Sequence, residues 1–256
     1  MRFGVCGGIS RFDAIRAAGA DYLEPSVAGD ARPEGGEKVW AECLARIRDT
    51  GLRAEAWNCW LPGDLKIVGP AADWDRYRRY VDIAIPRVRE AGAEVIVFGS
   101  GGARTVPAGY EHSRALDDLA RALSMACAGN AGIVFAVEAL GTRETNLINS
   151  VAEAAAFVRT LNLPYVKCTA DLYHMNEVSE PASVLSDVGR YLGHAHLADS
   201  GRGAPGTGTG GIVQFLSELR RSGYDARVSI EADWADFDAE VAGALRFVRD
   251  ACIPVQ

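Results

Sequence analysis

The stretch WDRYRRYVDIAIPRVREAGAEVIVFGS, Trp74 to Ser100, carries two periodicities back to back. Up to Gly92 its apolar residues recur at helical spacing, and a glycine closes the run as a helix C-cap would. Pro86 inside it removes one backbone donor, so a kink is expected there. From Glu94 the run EVIVFGS is short and β-rich. One helix followed by one strand is the unit from which a parallel sheet is built, because parallel strands need a crossover between them.

The unit repeats along the whole chain. Strands are expected at RFGVCG (from Arg2), DYLEPSV (Asp21), RAEAWNC (Arg53), EVIVFGS (Glu94), IVFAVEAL (Ile133), YVKCTADL (Tyr165), GHAHLAD (Gly193) and RVSIEAD (Arg227). Helical patterns lie between and after them. EKVWAECLARIRDTG places Val39, Cys43, Leu44 and Ile47 at helical spacing and closes at Gly51; GIVQFLSELRRSG and DFDAEVAGALRFVRD supply the last two. Eight βα units in 256 residues, about 32 residues each, imply an α/β chain closed into a (β/α)8 TIM barrel, with an open doubly wound sheet as the structural alternative. No linker, short repeat or low-complexity segment divides it, so residues 1–256 are expected to form a single domain.

Composition narrows the partners. An apolar fraction of 48% with 24% charged residues suits a soluble globular protein. A net charge of -7 without any basic cluster argues against nucleic acid. Six scattered cysteines with no C-x-x-C pair read as reduced thiols of a cytoplasmic protein. The start, MRFGVCGGIS, lacks the apolar region of a secretion signal, and no segment reaches membrane-spanning length, so no membrane partner is expected. Self-association into a homo-oligomer is left open.

In such a barrel function sits at the C-terminal ends of the strands. The last four strands each end in an ionisable side chain: Glu138, Asp171, His196 and Glu231. Strand alternation puts Glu138 on one face with Ala136, Asp171 with Thr169, and Glu231 with Ser229, leaving the bulky apolar neighbours for the helical shell. Three carboxylates converging on an imidazole would repel one another unless a cation neutralised them. The set therefore predicts one divalent metal ion, with Mn2+, Co2+, Mg2+ and Zn2+ all compatible with oxygen and imidazole ligands. His194 lies one pleat deeper on the face of His196 and is expected to hydrogen-bond inside the barrel.

Further polar groups follow the N-terminal strands. WNCWLPGDLKIVGP offers Trp57, Asn58 and Trp60 to the apolar side of a substrate, and Lys66 to an anionic group. GSGGAR, Gly99 to Arg104, reads either as a weak anion nest or as a plain loop. Glu24 would line the mouth or pair with a loop arginine.

With these residues the sequence resembles the xylose-isomerase-like barrel superfamily, in the sugar isomerase/epimerase branch that includes ketose 3-epimerases and hydroxypyruvate isomerase. The pattern of metal-binding Glu and substrate-binding Glu six positions later appears as Glu138 and Glu144 in EALGTRE. The D-x-x-H motif appears as DLYH, Asp171 to His174, and the ligand histidine with an arginine six positions later as His196 and Arg202. The loop DSGRGAPGTG is similar to the hydroxypyruvate-isomerase form of that segment, so the chain mixes features of both groups.

The resemblance implies proton transfer beside a carbonyl of a small keto sugar through an enediolate. Glu138 and Glu231 would form the acid–base pair, and Glu144, His174 and Arg202 would orient substrate oxygens. It also supplies rivals. A DNA-repair endonuclease of the superfamily needs a three-zinc cluster with more than the four histidines present. A keto-inositol-type dehydratase would use similar ligands and expel a β-hydroxyl. A non-catalytic sugar-binding barrel would not need both glutamates.

Overall fold

Strand alternation sorts the barrel's side chains into two separate cores. A computed structural model describes residues 1–128 and 132–253. Its elements, in chain order, are β1 (Arg2–Cys6), α1 (Phe12–Ala17), β2 (Tyr22–Glu24), α2 (Glu37–Thr50), β3 (Ala56–Trp57), α3 (Trp74–Glu90), β4 (Val95–Phe98) and α4 (Gly101–Arg104). There follow α5 (His112–Cys127), β5 (Val134–Glu138), α6 (Val151–Leu161), β6 (Val166–Asp171), α7 (Leu172–Glu177), α8 (Leu185–Val188), β7 (Leu192–Leu197), α9 (Ile212–Arg221), β8 (Arg227–Ile230) and α10 (Phe237–Ala251).

All ladders are parallel, in the order β2-β1-β8-β7-β6-β5-β4-β3. The seam between β2 and β3 is closed by single bonds instead of a regular ladder. The Leu23 amide donates to the Arg53 carbonyl (3.0 Å) and the Asn58 amide to the Pro25 carbonyl (3.0 Å). The result is a (β/α)8 TIM barrel with helices around it.

Inside the barrel, Tyr22, Ala56, Val95 and Ala136 form a small cluster of their own. Outside, Val5, Leu23, Ile96, Phe98, Phe135, Val137, Val228 and Ile230 join the helices in the main core. A side chain at Gly4 would put its Cβ 2.3 Å from the Tyr22 ring. Glycine there leaves room for that ring to cross the barrel and bond Ser229 Oγ at 2.8 Å.

The other end of the barrel is closed by charge. Arg227 reaches Glu55 (2.8 Å) and Glu94, and Arg2 reaches Glu55 (2.8 Å).

Two helices add detail to the sequence reading. The α2 stripe is Trp40, Cys43, Leu44 and Ile47, while Val39 is only half-buried. Pro86 lies inside an unbroken α3; it and Asp82 both face solvent, where water can meet the orphaned carbonyl. No helix among the described residues is long and apolar enough to cross a membrane.

Candidate active site

The barrel brings Glu138, Asp171, His196 and Glu231 together, with one ligand atom from each lying within 4.8 Å of all the others. His196 Nδ1 lies 3.2 Å from Glu138 Oε1 and 3.4 Å from Glu231 Oε2. The register of β7 makes this possible. Cys168 pairs with Leu192 but Thr169 pairs with His194, so the ladder slips at Gly193 and Asp171 comes level with His196.

The donor set fits a divalent cation. Asp171 uses Oδ1 to cap α7 through the Tyr173 amide (2.8 Å), while its buried Oδ2 has no hydrogen-bond partner. A bare carboxylate oxygen beside two further carboxylates and an imidazole nitrogen is what a hard cation would satisfy. Electrostatics agree. Burial pushes the Asp171 carboxyl up to about 6, with Glu231 and Glu138 adding to the rise against the pull of His174. Burial would also raise Glu231, but His196 and Arg202 outweigh it and hold that carboxyl at about 2.

The substrate-facing candidates surround this cluster. The Gly141 amide donates to His174 Nδ1 at 3.1 Å, which leaves the ring proton on Nε2. That nitrogen faces Asp171 Oδ2 at 3.7 Å and Glu144 Oε1 at 3.8 Å. The i, i+3 spacing of DLYH thus places one cap residue and one donor on the first turn of α7.

Arg202 lies in the left-handed region (φ 64°) and sends Nη2 to Glu231 Oε2 at 2.8 Å. Its guanidinium also stacks 4.9 Å from the Tyr173 ring centroid. The loop that aims it is organised by Asp199, whose carboxylate accepts from the amides of Ser200 (2.9 Å), Gly206 (3.0 Å) and Gly210 (2.7 Å). Glu138, Glu144, His174, Arg202 and Glu231 border a cavity of about 190 Å³, lined also by Asn58, Cys59, Leu61, Ser100 and Leu140.

Residues 12–251 match the sequence profile of the xylose isomerase-like TIM barrel family. The chain belongs to that family.

Among its relatives, the ketose 3-epimerase of Arthrobacter globiformis is 32% identical over 48% of this chain and 50% of its own length. A Streptomyces coelicolor chain provisionally named hydroxypyruvate isomerase is 30% identical over 72% of this chain and 71% of its own. The match to the Arthrobacter enzyme thus spans half of that relative. Of the solved structures, D-psicose 3-epimerase from Clostridium cellulolyticum H10 with D-tagatose superposes with a TM-score of 0.80 at 20% identity, covering 98% of this chain and 99% of that one. The D-allulose 3-epimerase of a Methylomonas species with D-allulose gives 0.82 at 20% identity, covering 98% and 97%. At such identities the structures establish the fold.

In this member of the xylose isomerase-like family several N-terminal candidates sit elsewhere than expected. Ala56 takes the inward position of β3, so Trp57 points outward; it is fully buried, donates to the Ala54 carbonyl (2.9 Å) and packs on Trp40. Trp60 is likewise core, between Tyr80, Phe98 and Phe135. Neither ring reaches the cavity, whereas Asn58 does. Lys66 Nζ is tied to the carbonyls of Gly63 and Gly102, both at 2.6 Å, and bridges two loops instead of facing a ligand.

In GSGGAR the arginine does not face the cavity. Arg104 is fully buried and donates to the carbonyls of Gly99 (2.8 Å), Leu147 (2.6 Å) and Glu138 (2.6 Å). A Cβ at Gly99 would lie 2.2 Å from Glu138 Oε2, so this glycine makes space for the carboxylate. Glu24 pairs with neither a loop arginine nor solvent; it sits beneath His196, bonded to both barrel histidines. Its signal was the one used for the last four strands: an acid at a strand end, sharing a face with Tyr22.

Proposed function

We propose that the protein is a divalent-metal-dependent epimerase or isomerase acting on a small, uncharged keto sugar. The observation that carries this is the convergence of two glutamate oxygens on the same imidazole nitrogen, at 3.2 Å and 3.4 Å, beside a buried carboxylate oxygen with no hydrogen-bond partner. The relatives named ketose 3-epimerase and L-ribulose 3-epimerase support the same chemistry.

Glu138, Asp171, His196 and Glu231 would hold the cation, which supplies Lewis acidity that makes the substrate's α-proton removable. One of Glu138 and Glu231 takes that proton and the other returns one. Return to the opposite face of the same carbon is epimerisation; return to the neighbouring carbon is isomerisation. The negative charge left on the substrate oxygens is met by the Nε2–H of His174 and the guanidinium of Arg202, while Glu144 accepts from a hydroxyl.

Charge in the mouth favours a neutral substrate. Four carboxylates gather there, and even Arg202 together with a divalent cation leaves the negative charge in excess. Lys66 and Arg104, which follow strands β3 and β4, are already committed to backbone carbonyls, and Arg143 of the loop after β5 is paired with Glu177. A phosphate ester or keto acid would therefore be repelled unless the loops rearranged.

The test is proton exchange. The Mn2+- or Co2+-loaded protein, incubated with neutral ketoses in D2O, should exchange deuterium at a carbon next to the carbonyl, followed by NMR. Hydroxypyruvate and ketose phosphates should react far more slowly. Loss of water from a keto-inositol would favour the dehydratase, and absence of exchange or turnover on every ketose would sink the proposal.

A further inference from the structure

Beneath the ligand cluster, one buried carboxylate joins both histidines of β7. Glu24 Oε1 lies 2.7 Å from His196 Nε2, and Glu24 Oε2 lies 2.8 Å from His194 Nε2. All three side chains are fully buried, and the two rings stand at 88° with centroids 4.9 Å apart. A carboxylate offers only acceptors, so both Nε2 atoms must carry hydrogen. His194 Nδ1 has no partner, which fits a lone pair there better than a second buried N–H.

For His196 the consequence is directional. With Nε2–H donated downward to Glu24, the lone pair is left on Nδ1, the nitrogen that faces Glu138 and Glu231. The opposite tautomer would turn a hydrogen toward the cation and a lone pair toward a carboxylate. We infer that Glu24 is the positioning residue of this site: it fixes the tautomer and ring orientation of His196, and His194 in turn anchors Glu24 from below.

A second arrangement competes. Cys6, Glu24 and His196 also present ligand atoms within 4.8 Å of one another, so a cation below the ring would take Nε2. The Glu24 bonds favour the upper position, because the lower one would break the 2.7 Å contact that holds the ring. The inference rests on His196 being a metal ligand, as proposed above. Carboxylate partners of ligating histidines typically contribute a factor of roughly 10–100 in metal affinity.

The experiment uses the full chain labelled with 15N-histidine and loaded with Zn2+, read by long-range 1H–15N correlation. Both His194 and His196 should appear as Nε2–H, with the metal-shifted nitrogen at Nδ1 of His196. A metal-shifted Nε2 overturns the inference in favour of the lower position. In parallel, Mn2+ binding by calorimetry should weaken about 10–100-fold in Glu24→Gln. An amide has one oxygen for two donors, so one histidine should also change tautomer in that variant. Unchanged affinity and unchanged tautomers in a folded Glu24→Gln protein overturn the inference while leaving the proposed function standing. If the wild-type chain binds neither Zn2+ nor Mn2+, the proposed function itself fails. Should Glu24→Gln not fold, the wild-type spectrum decides alone.

Discussion

At the scale of single residues the site divides into groups that would hold the cation and groups that would hold the substrate, and the two divisions should separate on mutation. Glu138→Gln and Glu231→Gln each keep an oxygen near the cluster but lose the proton-accepting group. Turnover should fall by about 10²–10⁴, more than Mn2+ affinity does, as seen by comparing kcat with calorimetry. Full activity in Glu231→Gln would end the two-base scheme. Arg202→Ala and His174→Ala remove donors that lie outside the four ligands. Each should lower kcat/KM roughly 10–100-fold, the range for one charge-assisted hydrogen bond, with metal content by atomic emission unchanged after dialysis.

Some of these residues were readable from spacing and some were not. Glu138, Asp171, His196 and Glu231 announce themselves as ionisable residues at strand ends on the inward parity. Trp57 misleads because it neighbours Asn58 and looks like a sugar platform. Parity decides it: with Ala56 inward, Trp57 must face the helices. Trp57→Ala should therefore cost about 3–5 kcal/mol of stability in denaturant melts and leave KM of the folded fraction unchanged. A raised KM without loss of stability would return Trp57 to the cavity.

At the scale of elements, the loop from Ser200 to Gly211 shows how a flexible-looking segment becomes a positioning device. Its glycines permit the turns, but Asp199 gathers three of its amides onto one carboxylate. Arg202, held in the left-handed region, also accepts the Asp233 amide on its carbonyl at 2.7 Å. In Asp199→Ala those amides lose their partner, so the loop should exchange its hydrogens faster. Arg202 would then be delivered less often, and kcat/KM should drop toward the Arg202→Ala level while metal content stays. Exchange rates unchanged from wild type would contradict this. Another element-scale device is the slip at Gly193, where a Cβ would come within 2.7 Å of Lys167 Cβ. Nothing in GHAHLAD marks that slip, because it is a relation between two strands.

At the scale of the molecule, the barrel forces four carboxylates into one mouth, and a bound cation should stabilise the fold by relieving them. Mn2+ at a hundredfold excess over its Kd should add about 2.7 kcal/mol. For a chain of this size that corresponds to a rise in Tm of roughly 5–10 °C by calorimetry, reversed by chelator. A melting temperature indifferent to both would mean that no cation binds the native state preferentially. The architecture itself was legible from sequence, since the alternation of short β-rich and longer amphipathic runs is a local property and eight such units have few ways to bury their faces. The inward parity of the strand-end acids followed from the same local rule.

What the chain alone could not specify is which distant groups meet. That Glu24 of β2 holds two histidines of β7, that Arg104 and Lys66 are consumed by carbonyls, and that Gly99 clears space for Glu138 all depend on contacts between separate strands and loops. Periodicity reports the face a residue points to; only closure of the barrel decides what it finds there.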